Sequence, residues 1–168
     1  MQRADERERF EQALLPHMDA AYNLARWLTR DDHEAEDLVQ AAYLRALKFF
    51  GGFRGANSRA WLLTIVRNTC YTWLDQKRAR GPETAFDEEI HSVESNALDP
   101  EKRVLREEDE QLVRRAVEEL PVDLREVVVL RELEGMSYKE IAAIAGIPMG
   151  TVMSRLARAR ERLRDRLG

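Results

Sequence analysis

A single cysteine, Cys70, stands among 168 residues. One thiol cannot close an internal disulfide. His17, His33 and His91 have no Cys or His at metal-ligand spacing, so no metal and no cofactor are expected. Long apolar runs are also missing. No stretch approaches the ~18 residues of a membrane span. The N-terminus, MQRADERERF, is charged, with no apolar segment behind it. A cytoplasmic chain with no membrane insertion of its own is expected. There is no glycine-rich phosphate loop and no paired nucleophile and base, so an enzyme is not expected. Asp31, Asp32, Glu34 and Glu36 could imitate a carboxylate site, but they fit helix capping better. No alternating strand pattern stands out either. The apolar period is helical nearly everywhere, and the expected class is all-α.

What is present is charge, and it is segregated. Charged residues make up 35% of the chain and the net charge is −4, which alone would argue against a nucleic-acid binder. Yet residues 59–80 hold Arg59, Arg67, Lys77, Arg78 and Arg80 against the single acid Asp75, and residues 152–168 hold six arginines against Glu161 and Asp165. The acids collect at 31–37 and 83–110. A DNA-binding protein need be basic only where it meets phosphates, and the acidic regions remain available to other partners.

The most informative stretch runs from Leu133 to Leu167. Ser137 with Glu140 forms a capping box. Ile141, Ala142, Ile144 and Ala145 turn inward, and Gly146 sits where a left-handed residue ends a helix. Pro148 suits the first turn of a second helix. There Val152, Leu156, Ala159, Leu163 and Leu167 share one face. Thr151, Ser154, Arg155, Arg158 and Arg162 share the other. Two helices about a short Gly-containing turn make a helix-turn-helix, whose second helix enters the DNA major groove. Arg155 and Arg158 can read guanine or hold phosphate, and Thr151 or Ser154 can reach a base or the backbone. A helical hairpin with a solvated arginine face is the plainer alternative.

Earlier in the chain, residues 8–30 read as one helix with Leu14, Leu15, Met18, Tyr22, Ala25 and Leu28 inward, kinked or delayed by Pro16. A second helix, capped by Asp31 with Glu34, turns Ala35, Leu38, Val39, Ala42, Tyr43, Ala46 and Leu47 inward. Glu36, Asp37 and Gln40 face outward, as solvated acids or as a surface for basic side chains. The loop FFGGFRGANS follows. Its aromatics beside Arg54 suit stacking with unpaired bases, or fold back as core plugs, the expectation for at least two of Phe49, Phe50 and Phe53. A long helix from about Ser58 to Arg80 buries Trp61, Leu62, Ile65, Val66, Thr69, Cys70 and Trp73 and presents Arg67, Asn68, Tyr71, Thr72, Gln76, Lys77 and Arg78. Residues 81–105 are acidic, begin Gly-Pro and read as a flexible linker. A helix to Leu120 follows, with Val104, Leu105, Leu112, Val113, Ala116, Val117 and Leu120 apolar, and Pro121 ends it. Asp123 is expected to cap the next helix and Gly135 to close it.

In this order, DLVQAAYLRA at 37–46, FRG at 53–55, AWLLTIVRN at 60–68 and LPVDLREVVVLRELEGMSYKEIAAIAGIPMGTVMSRLARAR at 120–160 resemble an RNA polymerase sigma factor of the extracytoplasmic-function type, in the sigma-70 family. The resemblance implies two small helical domains: sigma-2 at 1–80 and sigma-4 at 106–168, joined by the linker at 81–105. It implies that Asp37 and Gln40 grip the β′ clamp helices of core RNA polymerase, although Ala41 stands where the family often has an acid. Phe53, Arg54, Asn68, Tyr71 and Lys77 match the part that captures a flipped base of the −10 element. Thr151, Ser154, Arg155 and Arg158 match the helix that reads the −35 element. Sigma-4 would also meet the β flap, and an anti-sigma factor would hold the chain inactive. Two other readings fit the same residues. A helix-turn-helix transcription regulator would need a receiver or ligand-binding domain upstream, where residues 1–100 read as helical throughout. A sigma-like decoy would bind partners without starting transcription.

Overall fold

The fold is that of a computed structural model describing residues 2–53, 57–81 and 101–168, apart from the side chains of residues 2–4, 52 and 101–106. Among the described residues every regular element is helical. They are α1 (Gln2–Leu14), α2 (Met18–Thr29), α3 (Asp32–Phe49), α4 (Ser58–Arg80), α5 (Glu101–Glu118), α6 (Val122–Val128, continued by a π-type turn Val129–Leu133), α7 (Tyr138–Ala145) and α8 (Met149–Leu167). Short 3-10 turns cover Leu15–His17 and Phe50–Gly52. Arg54 and residues 82–100, most of the expected linker with His91, lie outside the described residues.

The helix expected over 8–30 is two helices. Pro16 lacks the N–H that would continue the ladder, and the chain tightens into a 3-10 turn before α2 begins. That turn rotates Leu15 outward, 53% exposed, against the inward position its spacing suggested. α2 instead buries Ala21, Leu24, Ala25 and Leu28. Its end is set by Arg30, whose left-handed backbone (φ 60°) sends its N–H to the Arg26 carbonyl at 2.8 Å. Asp31 then caps α3, its carboxylate accepting from the N–H groups of His33 (3.0 Å) and Glu34 (3.2 Å). Leu47, placed inward by periodicity, is 43% exposed.

α2, α3 and α4 pack on one another. The alanines at 21, 25, 35, 42 and 46 are all buried and let these helices approach closely. Leu62, Leu63, Val66 and Cys70 of α4 fill the centre. Phe10 and Leu14 of α1 close one side, and Phe10 sets its edge against Tyr43 and Phe50 with centroids 5.1 and 5.2 Å apart. Phe50 and Phe53 do fold back, both against Trp61, while Phe49 is exposed. Asn57 caps α4 through the Ala60 N–H at 3.0 Å, and the Ser58 hydroxyl donates to the Ala13 carbonyl at 3.0 Å, tying α4 to α1.

Cys70 is fully buried in this core, and burial pushes its thiol up to about 12. The reactive species is the thiolate. A disulfide-exchange reagent at pH 8 should therefore leave Cys70 untouched in the native chain and titrate one thiol only in denaturant. Rapid labelling of the native chain would show that this core opens readily.

The C-terminal helices form a second apolar group. α5 contributes Ala116, Val117 and Leu120. α6 and its π-type turn contribute Leu124, Val127, Val128, Val129 and Leu130, followed by Met136. α7 contributes Ile141, Ile144 and Ala145, and α8 contributes Val152, Leu156 and Ala159. Several expectations change here. Leu112 and Val113 are 55% and 48% exposed, and Leu167 is also exposed, because no described helix covers those faces. Pro121, not Asp123, occupies the cap position of α6, and Asp123 accepts from the Leu124 N–H at 3.0 Å inside the first turn. Pro148 likewise stands at the cap position of α8, just outside the helix.

The two groups dock against each other. α2 meets α6, and α4 meets α7. Buried Arg125 of α6 donates to the Glu118 and Leu120 carbonyls at 2.9 Å and across the boundary to the Leu28 carbonyl at 3.2 Å. Arg30 donates in the other direction, to the Glu118 carbonyl at 3.2 Å. The Asn57 amide donates to Glu140 at 2.8 Å.

Candidate nucleic-acid and polymerase interfaces

The helix-turn-helix is built by local chemistry. The Ser137 hydroxyl accepts from the Glu140 N–H (3.1 Å) and the Glu140 carboxylate accepts from the Ser137 N–H (2.9 Å), a complete capping box. Gly146 adopts φ 70°, and its N–H reaches the Ala142 carbonyl at 2.9 Å. A side chain would be strained at that φ. The turn directs α8 so that Val152, Leu156 and Ala159 are buried, while Ser154 and Arg158 are exposed and Thr151 and Arg155 half-buried. Arg155 is steadied by Asp123, whose carboxylate lies 3.9 Å from its Nε. The Ser154 hydroxyl donates to the Thr151 carbonyl at 3.1 Å. One helix face thus presents two guanidinium groups beside two hydroxyls, a donor-rich edge suited to guanine and phosphate.

The capping box carries a pH-dependent share of stability. Hydrogen bonds from the Ser137 backbone and then the Asn57 amide hold the Glu140 carboxyl below its ordinary value of 4.5. A depressed carboxylate contributes stability that is complete above 4.5 and lost as pH falls through the lower folded value. Ser137→Ala should cost about 1 kcal/mol at neutral pH in urea denaturation, whereas Glu140→Gln, which removes the titrating carboxyl, should flatten this acid-side decline. An unchanged urea midpoint would show that the cap adds nothing.

On α3, Asp37 and Gln40 are exposed. Leu44 and Leu47 continue the same face at helical spacing and are 64% and 43% exposed. Two exposed leucines beside an acid and an amide make a mixed apolar and polar face whose chemistry suits a protein partner. Sequence reasoning singled out the polar pair and missed Leu44. The available signal was an apolar residue off the inward stripe.

The residues expected at a −10 site are dispersed. Asn68 is exposed, and its side-chain oxygen accepts from Arg67 at 3.3 Å. The Lys77 ammonium lies 4.9 Å from the Trp73 ring centre. The Phe53 ring packs on Trp61 and Phe50, with centroids 5.0 and 5.8 Å apart. Tyr71 is turned toward α6, its hydroxyl donating to Glu126 at 2.8 Å. Burial first, and then the Glu126 carboxylate, raise that hydroxyl well above the usual tyrosine range. Arg67 and Glu126, which form an ion pair here, were not anticipated as partners. Their separation of 59 residues leaves no local signal.

Comparison with known proteins identifies the family. The family model "Sigma-70 region 2" matches residues 14–80, and "Sigma-70, region 4" matches residues 110–163. The RNA polymerase sigma-H factor of Pseudomonas aeruginosa is 37% identical over 96% of this chain and 86% of its own length. The chain belongs to the sigma-70 family, as an extracytoplasmic-function sigma factor. The ECF RNA polymerase sigma-E factor of Escherichia coli K12 is 40% identical to this sigma factor over 80% of the chain and 74% of its own length. Among solved structures, the sigma factor RpoE in complex with the anti-sigma factor NepR from Bartonella quintana superposes with a TM-score of 0.73 at 35% identity, over 95% of this chain and 97% of that one. CnrH in complex with the cytosolic domain of CnrY, at 24% identity and a TM-score of 0.64, shares the fold over 96% of this chain and 88% of that one. The region 2 match contains the α3 stripe and the α4 face, and the region 4 match contains the arginine face of α8.

Proposed function

We infer that this sigma factor binds core RNA polymerase and directs initiation at specific promoters, and we propose which of its residues do so. The sigma-2 domain (1–80) docks on the β′ clamp helices through Asp37 and Gln40, with Leu44 and Leu47 as apolar anchors. The sigma-4 domain (106–168) reads the −35 element through Thr151, Ser154, Arg155 and Arg158 and meets the β flap. Phe53, Arg54, Asn68, Tyr71 and Lys77 engage the −10 strand. The segment 81–105 joins the two domains. The protein works in the cytoplasm, where it meets polymerase and promoter DNA, and an anti-sigma factor restrains it. The RpoE–NepR likeness supports that last assignment.

The observation that carries this reading is the pair of separate exposed surfaces in one family-matched chain. One is acidic and apolar on α3, the other rich in guanidinium groups on α8. The first suits a basic protein helix and the second suits DNA. The mechanism is positional. Each DNA contact is modest, and polymerase fixes the distance between the two, so the second binds at high effective concentration. Unstacking a −10 base costs a few kcal/mol, which pocket contacts must return.

Run-off transcription tests this directly, using purified core polymerase and templates with randomised −35 and −10 hexamers. Start sites that depend on the chain are the expected result, and they define both elements. Binding to core with no start site would favour a decoy. Failure to bind core would overturn the assignment of Asp37 and Gln40.

A further inference from the structure

Glu126 interrupts an apolar turn, LREVVVL, at the middle of α6. Among the described residues it is the only buried carboxylate, with no exposed surface. The two side chains that bond its carboxylate, Arg67 and Tyr71, come from α4 in the other domain. Arg67 Nε donates to one carboxylate oxygen at 2.5 Å and Nη2 to the other at 3.5 Å, while the Tyr71 hydroxyl donates to that second oxygen at 2.8 Å. The Arg67 guanidinium also lies over the Tyr71 ring, 3.7 Å from its centre.

A desolvated carboxylate is tolerable only while such partners hold it. If the domains part, Glu126 returns to water without penalty and Arg67 and Tyr71 are released together. A guanidinium beside an aromatic ring and a phenol hydroxyl is also what a single DNA strand requires: a cation for phosphate and a ring for a base. The Glu126 carboxylate sits where a phosphate oxygen would be received. Closure does not cover the other surfaces, since Asp37 and Gln40 on α3 and Ser154 and Arg158 on α8 remain exposed.

We propose that Glu126 is an internal competitor for the −10 strand, holding Arg67 and Tyr71 in a closed chain that can meet polymerase and the −35 element but not single-stranded promoter DNA. Arg67 thereby joins the strand-binding residues, and domain opening becomes the step that exposes them. This rests on the assignment of Tyr71 to the −10 strand.

The test uses the full chain, spin-labelled at Gln12→Cys in α1 and Glu161→Cys in α8, two exposed positions away from the interface. Binding of a fluorescent random-sequence single-stranded DNA 12-mer pool is measured in parallel. The wild type should give one narrow interdomain distance. Glu126→Ala should give a broad, longer distribution and an affinity for the DNA pool about tenfold higher, since apparent affinity scales with the fraction of competent molecules. Tyr71→Phe, which removes only the hydroxyl, should broaden the distance in the same direction with the sigma-4 domain untouched. A distribution already broad in the wild type, or unaltered by both variants, overturns the latch. If Glu126→Ala opens the chain but a further Tyr71→Ala leaves its DNA affinity unchanged, the assignment of Tyr71 fails and the proposal fails with it. The distance readout distinguishes that failure from the first.

Discussion

Asp37→Lys should lower the affinity of the sigma factor for core RNA polymerase by about 100-fold, corresponding to a loss of about 3 kcal/mol. The side chain is exposed on the second turn of α3, where its carboxylate can meet a basic helix. Reversal removes one attraction and adds a repulsion, and coupling between close interfacial charges runs from about 1.5 to 7 kcal/mol. Gln40→Ala, which loses a neutral hydrogen bond, should cost only about tenfold. Leu44→Asp should approach the charge reversal in severity, because it places a charge in the apolar centre of the contact. All three positions are exposed, so thermal unfolding should be almost unchanged, within about 0.5 kcal/mol. Competition against a labelled wild-type chain for purified core gives the affinities. Wild-type competition by Asp37→Lys would remove α3 from the polymerase interface.

The sequence made some of these features plain and hid others for physical reasons. The helix-turn-helix was legible because its determinants are local: a cap and its partner three residues apart, a glycine at φ 70°, and one apolar face on each helix. The α4 span and its buried Leu62, Val66 and Cys70 followed from periodicity in the same way. Periodicity reports which face is apolar, not whether anything covers it. Leu15, Leu47, Leu112 and Val113 therefore read as core residues and proved exposed. Leu15 fails for a local reason, the turn at Pro16. Leu47 lies on the exposed α3 face with Asp37, Gln40 and Leu44, the face proposed above to meet polymerase. The docking of α6 on α4 was invisible. Arg67, Tyr71 and Glu126 each look like ordinary solvated side chains in their own helices, and only tertiary structure brings them together. Of the −10 candidates, Asn68 lies open, Phe53 is committed to aromatic packing and Tyr71 is held by Glu126.

Arg155→Ala should reduce discrimination at one −35 position by about 1–3 kcal/mol, roughly 5- to 150-fold in initiation from matched against mismatched templates. The guanidinium is half-buried and steadied by Asp123, with Nε 3.9 Å from the carboxylate. It is therefore partly ordered before DNA arrives, and less rotamer entropy remains to be lost on binding. Two controls separate reading from simple charge. Arg155→Lys keeps the positive charge but lacks the planar fork for paired acceptors, so it should restore affinity without restoring discrimination. Arg158→Ala, on the exposed side of the same face, should weaken all templates alike and flatten the salt dependence if it serves phosphate. Asp123→Asn should fall between wild type and Arg155→Ala, because it loosens the guanidinium without removing it. Asn68→Ala should leave −35 selection intact and blunt −10 selection. Because the two elements are read by different domains, the Arg155→Ala and Asn68→Ala losses should add, within about 0.5 kcal/mol. Run-off from randomised templates measures these five variants and the Arg155→Ala/Asn68→Ala double variant at once. Equal losses at every template for Arg155→Ala would reassign it from base reading to phosphate contact. A shortfall from additivity would mean that opening of the domains couples the two DNA contacts, as the buried contact of Glu126 with Arg67 and Tyr71 allows.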